Sequence, residues 1–180
     1  FGEKNFKRCG EIYKTGVPAN IIMGLLLTAT TFGATFLFDY LGQDPEVVRL
    51  AVPYYNIALF SMLPYMLFLN GKQFLEGLSI TFPTMMISLI CNLENIVLNY
   101  LLIFGEFGFP MMELEGAALA TTIARASMAI SVMLYIYFRK DLVEFTHRLN
   151  WFKYSKEIFV KIYKFGLPIA LQHLMEVWAF

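Results

Sequence analysis

The sequence has 180 residues, of which 58% are hydrophobic and 16% are charged. Soluble domains have about 45–50% apolar and about 25% charged residues, so this composition argues against a water-soluble fold. The formal net charge is +0, from 14 basic and 14 acidic residues, yet the charges are grouped in blocks along the chain. The composition therefore indicates a membrane protein whose charges lie mainly in the connections between apolar segments.

Four apolar runs of about 22–23 residues follow one another, each long enough to cross the hydrocarbon core as a helix. A fifth begins near Gly166 and is cut short, so we expect the chain to be a fragment. None of the runs alternates with the period of two that is typical of strands. The predicted fold is all-α, a polytopic transmembrane bundle with four complete spans and part of a fifth. The four spans are predicted at residues 17–38, 53–75, 82–104 and 116–138.

The prolines give predictions about the helix ends. Pro18, Pro53, Pro83 and Pro168 are each predicted at or near a first helical turn, where the missing N–H breaks no helical hydrogen bond. Pro64 lies inside the second span. Because a proline in a helix interior removes a hydrogen bond and crowds the preceding turn, we expect a kink at Pro64.

The loop charges predict an orientation in the membrane. Basic residues are concentrated in residues 1–16 and 139–164, whereas residues 39–52 and 105–115 contain six acidic residues and one cation, Arg49. Because cytoplasmic loops have an excess of Lys and Arg, the first two segments are predicted to be cytoplasmic and the other two extracytoplasmic. We therefore expect a multi-pass protein of the inner (plasma) membrane, with the lipid bilayer around it.

The segment 139–164 also contains Trp151, Phe152 and Tyr154 among its lysines. Basic aromatic segments can stack nucleobases, but one that is flanked by membrane spans is more typical of an interfacial anchor. We interpret this segment as an anchor at the cytoplasmic surface and expect no nucleic-acid partner.

Two opposite charges lie deep in consecutive spans. Glu94 is twelve residues past Phe82, roughly 18 Å into its helix, and Arg125 is nine residues past Gly116, roughly 13–14 Å from the opposite direction. A charge in the hydrocarbon core is costly, so the similar depth of the two side chains predicts an ion pair near the midplane. Buried pairs often fix packing, and we favour a structural role for this pair over a role in transport.

A polar stripe follows one face of the third span. Asn92, Asn95 and Asn99 recur at i, i+3 and i+7, and Ser88 extends the stripe by another turn. Amide oxygens can replace water around Na⁺ or accept a hydrogen bond from a protonated carboxyl. The alternative is hydrogen bonding between helices, worth about 0.6–2 kcal/mol per contact. We favour this alternative for Asn92 and leave both readings open for Asn95 and Asn99.

The fifth run contains Gln172, His173 and Glu176, spaced so that the first two lie beside the carboxylate. Glu176 is ten residues past Gly166, roughly 15 Å into the helix. Desolvation penalises the charged form of such a carboxyl, a property that a group coupling transport to H⁺ or Na⁺ needs. We predict that Glu176 is a coupling group and that Gln172 and His173 face a substrate cavity. A metal site is not expected, because further ligands at this depth are missing.

Several segments together resemble one transporter family. The resemblance is to the multidrug and toxic compound extrusion (MATE) exporters and covers nearly the whole chain in order. The similar segments are Gln73–Leu78, Pro83 and Asn95–Gly105 for helices four and five, Gly116–Thr121 for helix six, and Gly166–Ala170 with Glu176 for helix seven.

The resemblance implies a twelve-helix, monomeric parent with two six-helix lobes. Residues 1–138 would then belong to the N-terminal lobe, 139–164 to the cytoplasmic inter-lobe loop and 165–180 to the first helix of the C-terminal lobe. It also implies export of small organic, mainly cationic drug-like substrates by alternating access, driven by Na⁺ or H⁺ without another cofactor.

The family's polar positions can be transferred to three residues. Glu176 matches the acidic position on helix seven, and Asn95 and Asn99 match polar positions on helix five. Some branches have an acid where this chain has Asn99, which argues against the purely proton-driven mechanism of that branch. Glu94 and Arg125 match no position that the resemblance assigns.

Two alternatives to drug export remain open. A lipid-linked saccharide flippase of related architecture requires a strongly cationic central cavity, whereas these spans offer Arg125 as their one deep basic residue. A membrane-embedded enzyme requires convergent nucleophiles, bases or metal ligands, and only Gln172, His173 and Glu176 form a candidate cluster. We therefore expect no catalytic residues and no enzyme activity.

Overall fold

A computed structural model describes residues 6–36, 42, 44–142 and 155–178. Across these ranges the regular structure is helical, with no strand, so the predicted all-α fold is confirmed. One-turn 3₁₀ helices follow α4 and α5. The long helices are α1 (Phe6–Thr35), α2 (Pro45–Phe60), α3 (Met62–Gly77), α4 (Phe82–Phe104), α5 (Glu113–Phe138) and α6 (Lys156–Trp178).

Four stretches of the described chain are long and apolar enough to cross a membrane, in agreement with the four predicted spans. The third span has the predicted bounds, whereas the helices of the other three begin earlier than predicted, because helix formation continues through polar turns that hydropathy excludes. Much of the predicted loops 1–16 and 39–52 is therefore helical, as is the end of 105–115. The four stretches are Arg8–Thr35, Pro45–Gly77, which combines α2 and α3, Phe82–Phe104 and Glu113–Phe138.

The predicted positions of three prolines are wrong. Pro18, Pro53 and Pro168 lie inside α1, α2 and α6 rather than in first turns. The proline that opens α2 is Pro45, which follows the cap residue Asp44, whose carboxylate accepts a hydrogen bond from the Glu46 amide at 2.9 Å. A capping side chain thus fixes this end, and the apolar run alone could not locate it. Pro83 lies in the first turn of α4, as predicted.

The expected kink of the second span is confirmed, three residues before Pro64. The helix is interrupted at Ser61, between α2 and α3. Pro64 has no amide to donate to the carbonyl of Phe60, and its ring crowds that carbonyl, so the break precedes the proline by about one turn. Ser61 is fully buried, and its hydroxyl donates to the carbonyl of Ala58 at 2.6 Å.

Helix α5 is central to the packing and contacts α2, α3 and α4. Its buried residues are mostly small, and small residues allow helix backbones in a membrane to approach closely. At Gly116 the approach is closest, since an added Cβ would lie 2.6 Å from the carbonyl oxygen of Leu102 in α4. The small buried residues of α5 are Gly116, Ala118, Ala120, Ala124 and Ala129.

A second interface, between α1 and α3, is polar. The Asn70 amide nitrogen donates to the carbonyl of Tyr13 at 3.4 Å, and Asn70 Oδ1 accepts from Asn20 Nδ2 at 3.3 Å. Beside these hydrogen bonds, the rings of Tyr13 and Phe74 stack at 4.5 Å. Gly16 leaves room for Asn70, because a Cβ there would lie 2.3 Å from Asn70 Oδ1.

Helix α6 packs against α1, and Tyr163 donates a hydrogen bond to the carbonyl of Ala19 at 3.0 Å. Because α6 begins at Lys156, the prediction that residues 139–164 form one loop is wrong for 156–164. A hydrogen bond from Lys161, at 2.5 Å, lowers the pKa of Glu157, with a smaller contribution from Arg8 of α1. The predicted anchor residues Trp151, Phe152 and Tyr154 lie outside the described residues.

The α4–α5 contact gives a stability prediction. Replacing Gly116→Ala places a methyl group against the Leu102 carbonyl, where backbone rather than a flexible side chain must move. We expect a loss of stability of about 1–3 kcal/mol, as is typical of overpacking. Thermal unfolding of the purified full-length gene product measures this.

The matched control is Gly33→Ala in α1, since nothing in the described structure lies within 4 Å of a Cβ at that position. This variant should unfold at or above the wild-type temperature, because alanine is the better helix former. Equal stability of the two variants would contradict the close approach at Gly116.

Candidate functional site

A cavity of about 350 Å³ lies between α3, α4 and α5. Its volume is within the range of small-molecule sites. Its wall mixes polar and aromatic side chains, although the surrounding bundle is apolar. The lining residues are Tyr65, Phe68, Leu69 and Lys72 of α3, Ser88, Asn92 and Asn95 of α4, and Thr121, Ala124, Arg125 and Met128 of α5.

Each helix contributes one stripe to this wall. The lining positions of α3 and of α5 recur at i, i+3, i+4 and i+7, and those of α4 at i, i+4 and i+7, all periods of a single helix face. α4 runs antiparallel to α3 and α5, so the start of the lining stripe in α3 and α5 lies at the same end of the cavity as the end of the stripe in α4. Tyr65, Asn95 and Thr121 lie towards one end, and Lys72 and Ser88 lie towards the other.

Arg125 is the most deeply placed charge in this wall. Its Nη1 donates a hydrogen bond to the hydroxyl of the buried Ser61 at 2.6 Å. Its guanidinium lies over the ring of Tyr65, 4.8 Å from the centroid. Both partners are neutral, so they hold the guanidinium in place without cancelling its charge.

The predicted ion pair between Glu94 and Arg125 is wrong. Glu94 accepts a hydrogen bond from Ser127 Oγ at 2.9 Å, while Arg125 donates to Ser61. Salt bridges among the described residues involve neither side chain. Similar depth in the membrane is not sufficient for an ion pair. Asn92 and Asn95 lie on the face of α4 that lines the cavity with Arg125, whereas Glu94 lies on a different face. The two side chains point in different directions around their helix axes, and the two charges therefore do not meet.

The structure brings together two of the predicted cation-binding residues. Asn99 Nδ2 donates to Asn95 Oδ1 at 3.1 Å. The Oδ1 atom of Asn99 is buried and accepts no hydrogen bond from the described residues. Asn95 also lines the cavity, as do Asn92 and Ser88 of the same stripe. An unsatisfied amide oxygen next to a polar cavity is an acceptor available to a cation or a proton-bearing ligand.

Glu176 lies apart from this cavity. Its Oε1 accepts a hydrogen bond from Gln172 Nε2 at 3.1 Å on the exposed surface of α6, so the predicted neighbours are in contact. Neither residue is part of the cavity lining, and α6 packs mainly against α1. The side chain of His173 lies outside the described residues. The structure therefore does not bring Glu176 to the cavity that contains Asn95.

The sequence analysis missed most of the lining that α3 and α5 contribute, including Tyr65 and Lys72, and it missed Ser61 beside the cavity. Tyr65 and Lys72 are separated by seven residues, and this period would have placed them on one face of α3. Lys72 also lies 3.8 Å from Glu76, in a pair whose side chains are 38% and 41% exposed. Ser61 gave no such signal, because its role depends on the helix break. No group of three or more metal-ligating side chains occurs in the described ranges.

Comparison with known proteins identifies the family. The MatE family profile matches residues 1–101. The multidrug resistance protein NorM of Photobacterium profundum is 30% identical over 160 residues, which cover 89% of this chain and 35% of that protein. NorM of Aliivibrio fischeri is 29% identical over 170 residues, with coverage of 94% and 37%. NorM of Vibrio cholerae is 27% identical over 172 residues, with coverage of 91% and 38%.

The chain thus spans between a third and two fifths of the length of these relatives. The family profile covers more than half of the chain and includes α1 to α3 and most of α4. Together with four apolar helices of membrane-spanning length, this match shows that the chain belongs to the MatE (multidrug and toxic compound extrusion) family of membrane transport proteins.

Proposed function

We propose that the chain is the part of a multidrug efflux antiporter that contains most of one lobe and the first helix of the next. The observation that carries this proposal is the family membership, with similarity to proteins named multidrug resistance proteins along about nine tenths of the chain. The substrates would be small drug-like organic molecules, exported by alternating access across the inner membrane. The protein would act as a monomer, with residues 1–16 on the cytoplasmic side.

The cavity between α3, α4 and α5 is the substrate contact that we propose within this chain. Its volume of about 350 Å³ suits part or all of a small drug. Tyr65 and Phe68 offer aromatic surface, while Asn92 and Asn95 offer hydrogen bonds that fix orientation. This combination, apolar surface with a few polar groups, is typical of ligand sites.

Glu176 is the coupling carboxylate that we propose. Lys164 is the last lysine or arginine of α6, and Glu176 lies twelve residues further, roughly 18 Å along the helix. A carboxylate at that distance from the last cation of a membrane helix is costly unless it binds an ion or a proton. Gln172 supports it with a hydrogen bond, and we place Na⁺ or H⁺ exchange at this pair. Of the site residues that we propose, only this carboxylate supports the expectation that the substrates are cationic.

A lipid-linked saccharide flippase is the second candidate. The observation in its favour is that Lys72 joins Arg125 in the cavity wall, which makes this wall more cationic than the sequence indicated. The family match to multidrug resistance proteins favours the exporter. The two candidates differ in what they transport: the exporter transports a small soluble drug, and the flippase transports a lipid-linked saccharide.

Neutralising the coupling carboxylate tests the antiport mechanism. In the full-length gene product, Glu176→Gln should abolish efflux driven by a Na⁺ or H⁺ gradient, because the amide cannot exchange an ion. Substrate binding should persist at least in part, since the cavity between α3, α4 and α5 is unchanged. Efflux from proteoliposomes with one gradient imposed at a time measures the loss and identifies the coupling ion.

The matched control is Glu157→Gln, which removes a carboxylate of the same helix that is exposed and paired with Lys161. An exposed pair contributes little, so this variant should transport at close to the wild-type rate. Ion-driven efflux at the wild-type rate in Glu176→Gln would refute the coupling role.

Expression in two deficient hosts separates the candidate functions. We expect the full-length gene product to protect a drug-hypersensitive bacterium against ethidium and not to restore growth of a strain that lacks its lipid-linked saccharide flippase. The reverse pattern would identify the flippase. Immunoblots of the membrane fraction establish that both hosts contain the protein in equal amounts.

A further inference from the structure

Helix α4 has a continuous apolar stripe on the side away from α5. Its members recur at i, i+4, i+7 and i+11, which is the period of a single helix face, and each is more than half exposed. Two buried residues, Cys91 and Leu102, lie on the opposite face, where α4 packs against α5. An apolar face on a helix of membrane-spanning length matches the hydrocarbon of the bilayer. The members of the stripe are Leu93, Val97, Tyr100 and Phe104.

The stripe ends at the level of the lipid headgroups. α4 has 23 residues, roughly 35 Å of helix, whereas the hydrocarbon core is about 30 Å thick. Its first residue, Phe82, and its last, Phe104, are both exposed aromatics. The ring of Tyr100 lies 5.7 Å from that of Phe104. Aromatic rings, Tyr and Trp above all, are enriched at the two membrane interfaces, so the turn that follows Phe104 begins in an interface.

The turn between α4 and α5, residues 105–112, is closely tied to the end of α4. The amide of Met112 donates a hydrogen bond to the carbonyl of Leu102 at 2.9 Å. Gly105 ends α4 in the left-handed conformation, at φ 71°, and an added Cβ there would lie 2.8 Å from the amide nitrogen of Met111. These contacts hold both ends of the turn against the last turn of the helix.

Phe107 has an unusual conformation within this turn. Its φ is 55°, in the left-handed region that glycine adopts far more easily than a bulky residue. Its ring is also 86% exposed, and the exposed Phe109 and Met111 follow it. In water this arrangement would combine backbone strain with exposed apolar surface. Transfer of the ring into apolar surroundings removes the second cost and offsets the first.

We propose that this turn inserts Phe107 into the headgroup region of the lipid bilayer, with Phe109 and Met111 beside it. The inserted rings anchor the α4–α5 hairpin at one membrane surface, while the neighbouring Glu106 and Glu113 stay on the aqueous side, because a charge in hydrocarbon is costly. The bilayer is the partner because the turn continues the apolar stripe of a membrane-spanning helix. This inference goes beyond the proposed function, since it does not depend on what is exported.

Spin labels test the surroundings of Phe107 in the full-length gene product, reconstituted in liposomes with its native cysteines replaced by alanine. A nitroxide attached to Phe107→Cys should be several-fold more accessible to O₂, which partitions into lipid, than to the water-soluble nickel complex Ni-EDDA. High accessibility to the nickel complex would place the side chain in water. Low accessibility to both reagents would place it inside protein, and either result would overturn the proposal.

Two exposed positions serve as matched references for these accessibilities. Val97→Cys, on the stripe of α4, is the lipid reference. Glu46→Cys, near the start of α2, is the aqueous reference, because its side chain is 75% exposed and the chain crosses the membrane twice between it and the turn. The ratio of O₂ to Ni-EDDA accessibility at position 107 should be close to that at Val97→Cys. A ratio equal to that at Glu46→Cys would contradict insertion.

Substitutions at Phe107 test whether its ring is the anchor. The label is attached to Phe109→Cys in the same turn, and Phe107→Asn is introduced beside it, because asparagine tolerates the left-handed conformation. Loss of the ring should lower the ratio of O₂ to Ni-EDDA accessibility at position 109 several-fold. Phe107→Trp keeps an interfacial ring and should leave this ratio unchanged. An unchanged ratio in the Phe107→Asn protein would refute the anchoring role of Phe107.

Photocrosslinking gives a second measurement that keeps the native cysteines. The photoreactive amino acid p-benzoylphenylalanine, placed at position 107 of the full-length gene product in liposomes, should form a phospholipid adduct that mass spectrometry detects, as should the same residue at position 97. The same residue at position 46 should form no such adduct. An adduct to protein alone at position 107, or no adduct where position 97 gives one, would overturn the proposal.

Discussion

The guanidinium of Arg125 lies in the middle of an apolar bundle, and the part of the chain that the structure describes accommodates its charge without a carboxylate. The bundle does this with the Ser61 hydroxyl at 2.6 Å and the face of the Tyr65 ring at 4.8 Å. The first contact lies at the break in the second span, since Ser61 belongs to neither α2 nor α3, and the second lies one turn further, in α3. The accommodation of one charge thus links the helix break, the position of α3 and the cavity wall.

Close packing supports this arrangement from the other side. The small residues of α5 let its backbone approach α4, and this approach keeps the stripe with Asn92 and Asn95 opposite Arg125. On the far side of α3, Asn70 joins α1 by hydrogen bonds to Tyr13 and from Asn20. α3 is therefore held from both sides, and polar contacts fix its rotation where apolar contacts alone would permit sliding.

The sequence predicted the features that depend on length, composition and period. It located the four spans, the polar stripe of α4 and the break near Pro64, because each follows from hydropathy, helical period or proline chemistry. It placed Pro18 and Pro168 in first turns, because hydropathy cannot detect helix that continues through polar residues. It also paired Glu94 with Arg125, because depth along two helices gives no information about their rotation. Tertiary packing sets that rotation, and as a result Glu94 contacts Ser127 and Arg125 contacts Ser61.

The hydroxyl of Ser61 has a mechanical consequence. It donates to the carbonyl of Ala58 and accepts from Arg125, so one atom is shared by the end of α2 and the cavity wall. α2 has 16 residues, roughly 24 Å of rigid rod that ends at this atom. A tilt of α2 about the break would reorient the Ala58 carbonyl that accepts from the Ser61 hydroxyl, and the hydrogen bond from Arg125 to the same hydroxyl connects that change to the guanidinium. The position of Arg125 in the cavity wall is thus coupled to the angle of α2, although α2 forms no part of the lining.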